Sequence, residues 1–170
     1  TLPDSISPFR VDHIEIVKSV GLTWQNVDNS YVAGFELEGH CKLYPTVDLT
    51  ANISVVKSET EFVRKRLDLS DGVKTYFPLD TVRRPMFGQA PYVFNAILTY
   101  TPEKYGLAFT VSYNLQGPRL VIASDVKEVP DIYELPRNVI DIKATKKLGN
   151  HFTASLTIKD LLNAPIRRNY

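Results

Sequence analysis

Alternation with a period of two runs through most of the chain. Between residues 31 and 43 one set of alternate positions is Tyr31, Ala33, Phe35, Leu37, Gly39, Cys41 and Leu43. The other set is Val32, Gly34, Glu36, Glu38, His40 and Lys42. Alternate side chains of a strand point to opposite faces, so this segment predicts a strand with one apolar and one wet face. Residues 47–55 repeat the pattern, with Val47, Leu49, Ala51, Ile53 and Val55 set against Asp48, Thr50, Asn52 and Ser54. Only Tyr44, Pro45 and Thr46 lie between the two segments, which predicts an antiparallel hairpin.

Two further pairs follow. Residues 92–100 and 107–116 alternate around Phe94, Leu98, Phe109 and Val111 on one side and Asn95 and Asn114 on the other, joined by a short link with Pro102 and Gly106. Residues 139–146 and 152–159 alternate around Ile142 and Leu156, with a turn at Gly149 and Asn150. Between the three hairpins lie two long polar connections, 59–91 and 117–138, charged and proline-rich, for which no regular structure is expected. Residues 11–18 read as one strand with mixed alternation, followed by a turn-like stretch, 21–30.

Short and long links therefore alternate. A transmembrane barrel has this asymmetry, whereas a soluble sandwich has modest connections at both ends. Segment length agrees, since about 9–11 residues carry a tilted strand across the apolar layer. Tyr92 and Tyr100 stand at opposite ends of one apolar face, and Tyr31 and Tyr44 near the ends of another arm, as interfacial girdles require; Tyr105, in a short turn, reads as a further anchor. The fold class expected is all-β, an antiparallel meander of transmembrane strands.

Composition narrows the choice of chemistry. Lys plus Arg number 20 and Asp plus Glu 19, giving a net charge of +1, so no field is set up to hold nucleic acid. Nine Tyr and eight Phe favour strands. The single cysteine, Cys41, lies on an apolar face and reads as a small hydrophobe. His13, His40 and His151 fall at no ligand spacing, so no metal and no cofactor are expected. Glu36, Glu38, His40 and Asp48 share a wet face, but nothing around them would split their pKa values for acid–base work. No nucleophile with an adjacent base appears, which argues against an enzyme, including a barrel lipase or protease.

Three stretches resemble the TonB-dependent receptor family. NVDNSYVAGFELEG (26–39) is similar to its Asn-rich loop tip leading into a strand. RPMFGQAPYVFNAILTY (84–100) is similar to its Gly-Gln-Ala-Pro-Tyr strand entry, and DIYELPRNVIDIKATKKLGNHFTASLTIKDLLN (131–163) to its late hairpin ending in a Lys-Asp-Leu-Leu-Asn signature. The resemblance implies that residues 1–170 are the C-terminal portion of a barrel of about 22 strands in a bacterial outer membrane. It implies transport of a scarce ligand, whether siderophore, cobalamin, glycan or peptide. The partners implied are the remainder of the barrel, a plug domain, the TonB complex reached through an N-terminal region, outer-membrane lipid and lipopolysaccharide, and a surface lipoprotein in some members.

With no Met at Thr1 and no further strand after Asn163, the chain reads as a fragment lacking the plug and the final strand. With the long connections outside, 31–43 runs down to the periplasm and successive strands alternate from there. Lumen-facing residues are then Glu36, Glu38, His40, Asp48, Asn95 and Asn114. Lipid-facing ones are Phe35, Leu37, Phe94, Leu98, Phe109, Val111 and Leu156. Arg83 and Arg84 are candidates to meet an anionic ligand or lipopolysaccharide phosphate. Asp131, Tyr133 and Arg137 are candidates either for ligand contact or for fixing a loop's entry into its strand. The competing reading is a soluble all-β ligand-binding module in which Phe35, Leu37, Phe94 and Phe109 form a shared core.

Overall fold

The computed structural model describes residues 10–11, 14–15, 27, 29–68, 75–102 and 104–170. Most of the expected stretch at 11–18 and of the turn-like 21–30 lies outside the described residues. Two two-residue strands there, β1 (Arg10–Val11) and β2 (Ile14–Glu15), pair antiparallel.

The main sheet has seven strands: β3 (Ser30–Tyr44), β4 (Val47–Asp68), β5 (Thr75–Arg84), β6 (Tyr92–Tyr100), β7 (Leu107–Gln116), β10 (Arg137–Leu148) and β11 (Phe152–Ile158). Its order is β11-β10-β7-β6-β4-β3, with β5 also on β4, and all of its strand pairs are antiparallel. The expected six-strand meander is therefore present in sequence order. Among the described residues the sheet is open, with β3 and β11 at its edges. A second sheet, order β12-β9-β8, is formed by β8 (Arg119–Ile122), β9 (Ile132–Glu134) and β12 (Arg168–Asn169).

Register turns local alternation into two continuous faces, because directly opposed residues of an antiparallel pair project to the same side. One rung reads Cys41, Leu49, Leu98, Val111, Ile142, Ile158 across six strands. A second reads Leu37, Ile53, Phe94, Leu115, and a third Val47, Tyr100, Phe109, Ala144, Leu156. The rungs between them project oppositely and are polar: Glu38, Asn52, Asn95, Asn114 in one, Lys42, Asp48, Thr99, Thr110, Lys143 in another. A one-residue slip in any strand would put its polar set among the apolar rungs, so the pattern fixes the register.

The expectation that the two long connections lack regular structure is corrected. Of the first, 59–91, residues up to Asp68 continue β4, and the chain returns as β5, with Thr60 opposite Arg84 and Asp68 opposite Thr75. The second strand, read from alternation over 47–55, extends to Asp68. Pro78 is tolerated because β5 is paired on β4 alone and Pro78 sits beside the irregularity between Val63 and Lys65. Of the second, 117–138, β8 and β9 pair with each other, and Arg137 and Asn138 already belong to β10. Residues 164–170, for which no strand was expected, supply β12 on β9. In β4 past Val55 the alternation is of charged against neutral residues, Lys57, Glu59 and Glu61 against Ser58, Thr60 and Phe62, so no apolar face marks the strand.

Candidate functional site

A small second layer meets the main sheet along the second half of β4. Up to Val55 the even-numbered residues of β4 form the polar face; beyond it the same face carries Ser58, Thr60 and Phe62, all buried. The cap, comprising Pro118, β8, the turn from 123 to 131, β9 and β12, lies over them. Lys65 and Val126 form a parallel bridge, Lys65 N donates to Asp125 O and Lys127 N to Lys65 O. Leu120, 1% exposed, is the most deeply buried large side chain of the described residues.

The polar centre of this junction is Arg84. Paired with Thr60, it projects to the cap side, stacks 3.6 Å from the Phe62 ring centroid, and donates to Ser124 O at 2.8 Å and Asp131 Oδ1 at 2.9 Å. Asp131 Oδ1 also accepts from Ser124 N at 2.7 Å. The two side chains are only 14% and 15% exposed, so the pair is largely desolvated and either partner alone would be a costly buried charge. Lys65 and Asp125 add an ion pair at 2.8 Å, and Arg119 and Glu134 one at 3.1 Å within the cap. Tyr133 lies beside Asp131, and burial, then the Asp131 charge, raise its phenol above the usual tyrosine value, opposed by Arg84.

The sequence candidates are thus separated in space. Arg84, Asp131 and Tyr133 come together at the junction. Arg83, its neighbour in the chain, points to the opposite face, where Nε donates to Glu61 Oε1 at 2.7 Å. Hydrogen bonds from Asn29 and then Arg83 hold the Glu61 carboxyl below the ordinary glutamate value. Arg137 is elsewhere again, donating to Asp160 Oδ2 at 2.6 Å and Ala164 O at 3.2 Å.

The last two resembling stretches act here as chain-turning devices. In 84–100, Gly88 has φ +76°, a left-handed conformation that glycine adopts without strain, and its N–H donates to Leu120 O, drawing the segment onto the cap. In 131–163, Asp160 and Asn163 have φ 49° and 46°, as short polar side chains permit. Asp160 N donates to Asp141 Oδ1 and Ala164 N to Asp160 Oδ1, turning the chain out of β11 and back toward β9. Reasoning on the sequence singled out Arg84 and Asp131 but missed Phe62, Lys65, Asp125 and Asp160. A signal existed for Phe62, in the unbroken alternation through Ser58 and Thr60.

Below the junction the polar face carries Glu36, Glu38, His40, Asp48, Asn95 and Asn114, all on one side of the sheet. Asn95 Nδ2 donates to Asn52 Oδ1 at 2.8 Å and Asn114 Nδ2 to Asn95 Oδ1, an amide ladder across β4, β6 and β7. His40 Nδ1 lies 3.2 Å from Thr50 Oγ1, and Nε2 3.7 Å from Asp48 Oδ1. Among the described residues no group of three or more His, Cys, Asp or Glu is placed to hold a metal. Phe35, Leu37, Phe94, Leu98, Phe109, Val111 and Leu156 all lie on the other, apolar face.

One cavity of about 570 Å³ opens where β5 ends and β6 begins, lined by Val55, Pro85, Pro91, Tyr92, Pro118 and Tyr133 among others. Among known proteins, no family model, no curated sequence and no solved structure matches the chain.

Proposed function

We propose that this chain is a stretch of wall of an outer-membrane β-barrel of the TonB-dependent receptor type, contributing to uptake of a scarce ligand. The observation that carries the reading is the apolar face. Rungs of six strands stack into one surface, and Phe35 and Leu37 are 63% and 66% exposed. The buried hydrophobic side chains among the described residues, Phe62, Ala90 and Leu120, belong instead to the junction on the other side.

Energetics favour lipid as the cover. Burying a Leu or Phe side chain is worth about 1.5–3 kcal/mol, so this face, with Phe35, Leu37 and Leu156 about two-thirds exposed and Leu98, Phe109 and Val111 about 40% exposed, forgoes on the order of 5–10 kcal/mol. That equals the whole stability of an ordinary domain. A soluble binding module would place Phe35, Leu37, Phe94 and Phe109 inside, and among the described residues no second layer covers them. The height also suits a bilayer. From Val47 to Val55 the strand covers about 27 Å along its length, or about 21 Å at a tilt near 40°, close to the band of about 25 Å seen in outer-membrane barrels. Tyr44 and Tyr100 stand near one margin and Tyr31 and Tyr92 near the other. Lys146, at the Tyr100 end, reaches back to Tyr105 O, as a snorkelling lysine does.

In this reading the amide ladder and Glu36, Glu38, His40 and Asp48 face the lumen and a plug domain, and the cap lies at the outer mouth. The neighbours are the rest of the barrel, the TonB complex, and lipid with lipopolysaccharide. Cysteines placed singly at residues 93–99, on a Cys41→Ser background and in the protein held in its membrane, test the wall. A charged, water-soluble maleimide should react at 93, 95, 97 and 99 and spare 94, 96 and 98; uniform reactivity would sink the barrel. Transport is tested apart from it, by uptake of radiolabelled ferric chelates and cobalamin in cells with and without the gene. Protonophore-sensitive uptake of one of them is expected, and no gene-dependent uptake of any would count against transport while leaving the wall intact.

A further inference from the structure

We propose that the break in the wall between β5 and β6 is a side pocket that takes a hydrocarbon chain of a membrane lipid; this rests on the barrel reading above. Along that edge of β4, pairing with β6 stops at Val55 opposite Tyr92, and pairing with β5 starts at Thr60 opposite Arg84. The four residues between have no strand beside them there. Residues 85–91 could not close the gap as a strand, because Pro85 and Pro91 carry no N–H to give to a ladder. Their bonding is directed elsewhere. Met86 N donates to the Ser58 hydroxyl, Gly88 N to Leu120 O on the cap, and only Pro91 O accepts from the β4 backbone, at Val56 N.

The cavity of about 570 Å³ at this break is lined from both sides of the sheet. Val55, Lys57 and Tyr92 belong to the apolar side, and Pro118 and Tyr133 belong to the cap. Its size and largely apolar lining are those of a pocket for a molecule of moderate size. Three features choose a lipid chain as the occupant. Val55 and Tyr92 are themselves part of the topmost apolar rung, with Phe35, so the lining continues the face that lipid would cover. The pocket therefore opens at the level where chains meet headgroups. Lys57 and Arg83 at the outer rim are paired with Glu59 and Glu61, so the mouth is close to neutral and selects for the apolar part of what enters.

The test uses the protein as the cell makes it, reconstituted in phosphatidylcholine vesicles doped with a phosphatidylcholine that carries a diazirine on its acyl chain. After photolysis, adducts are mapped by mass spectrometry. Adducts are expected on Leu98 and Val111, which report insertion of the wall, and also on Pro118 and Tyr133 of the cap. Val56→Trp, which fills the cavity, should abolish the cap adducts and leave those on Leu98 and Val111; Pro118→Trp should do the same, read at Tyr133. Adducts on the wall without any on the cap would overturn the lipid pocket and leave the barrel standing. Cap adducts that survive both fillings would overturn it too, and an absence of adducts from wall and cap alike would remove the barrel reading and the pocket with it.

Discussion

The two halves of β4 are one strand with opposite chemistry. From Val47 to Val55 the odd-numbered side chains are apolar and the even-numbered ones polar. Past Val55 the odd set becomes Lys57, Glu59 and Glu61, exposed or paired with cations, while the even set becomes Ser58, Thr60 and Phe62, buried under the cap. Backbone geometry is continuous through the change, since β3 pairs with β4 without interruption from Thr60 to Asp48. Strand formation here therefore does not depend on which face is apolar; what changes at residue 56 is what covers each face. Among the described residues the lower half leaves its apolar side uncovered, and the upper half makes a small core of its own with 119–134.

Removing one member of the buried ion pair should separate the halves most strongly. Arg84→Ala leaves Asp131 without its cation in a desolvated place, a loss of about 3–5 kcal/mol. Hydrogen exchange should then rise across 119–134 and 75–84 and stay unchanged in Leu107–Gln116. Replacing both partners by apolar residues, Arg84→Met with Asp131→Leu, should restore most of the protection, because no uncompensated charge remains.

The lower half breaks on its other face. Leu98→Arg puts a cation in the middle of the apolar band and should cost about 2–4 kcal/mol in vesicles, whereas Asn95→Arg, three residues earlier in the same strand and on the polar face, should cost far less. The check is the urea midpoint of each variant in lipid, and equal losses would mean that the two faces are not distinguished by lipid. Gly34→Ala comes next. A Cβ there would stand 2.5 Å from Val55 O, a backbone atom that cannot move aside cheaply. Displacing the edge strand β3 should cost about 1–3 kcal/mol, read from the same midpoints.

The smallest effect is on pH. The Glu61 carboxyl is lower in the folded chain than in the unfolded one, so its contribution is fully present above the ordinary glutamate value and is lost as pH falls through its lowered folded value. Amide shifts of Asn29 and Glu61 should move over that acid range in NMR spectra, and Arg83→Gln should bring the midpoint back up toward the ordinary value.

Legibility in the sequence divides along the same line. The six strands of the meander, their order and the membership of each face could be read, because one face stays apolar over nine or ten residues and the turns are marked by Pro45, Gly106 and Gly149. Ile142 and Leu156 fell on the apolar face and Asn95 and Asn114 on the polar one by counting alone. Past Val55 the alternation persisted without a greasy side, so ETEFVRKRLD read as a solvated loop although it continues the strand to Asp68. Burial there comes from residues 119–134, and a contact between segments about 60 residues apart leaves no local mark. Arg84 and Asp131 were singled out as separate loop charges, and only the fold brings them within 2.9 Å. Asp160 and Asn163 show why the Lys-Asp-Leu-Leu-Asn stretch has short polar residues at those places, since both have positive φ.

If the stacked apolar rungs face lipid, as proposed above, the native thiol reports it without any substitution. Cys41 stands in the rung of Leu49, Leu98, Val111, Ile142 and Ile158 and is exposed on that face. Labelled with a small environment-sensitive fluorophore in the vesicle-reconstituted protein, it should emit at short wavelength, be quenched by brominated acyl chains and resist aqueous iodide. Emission characteristic of water, with iodide quenching and no response to brominated lipid, would contradict the claim.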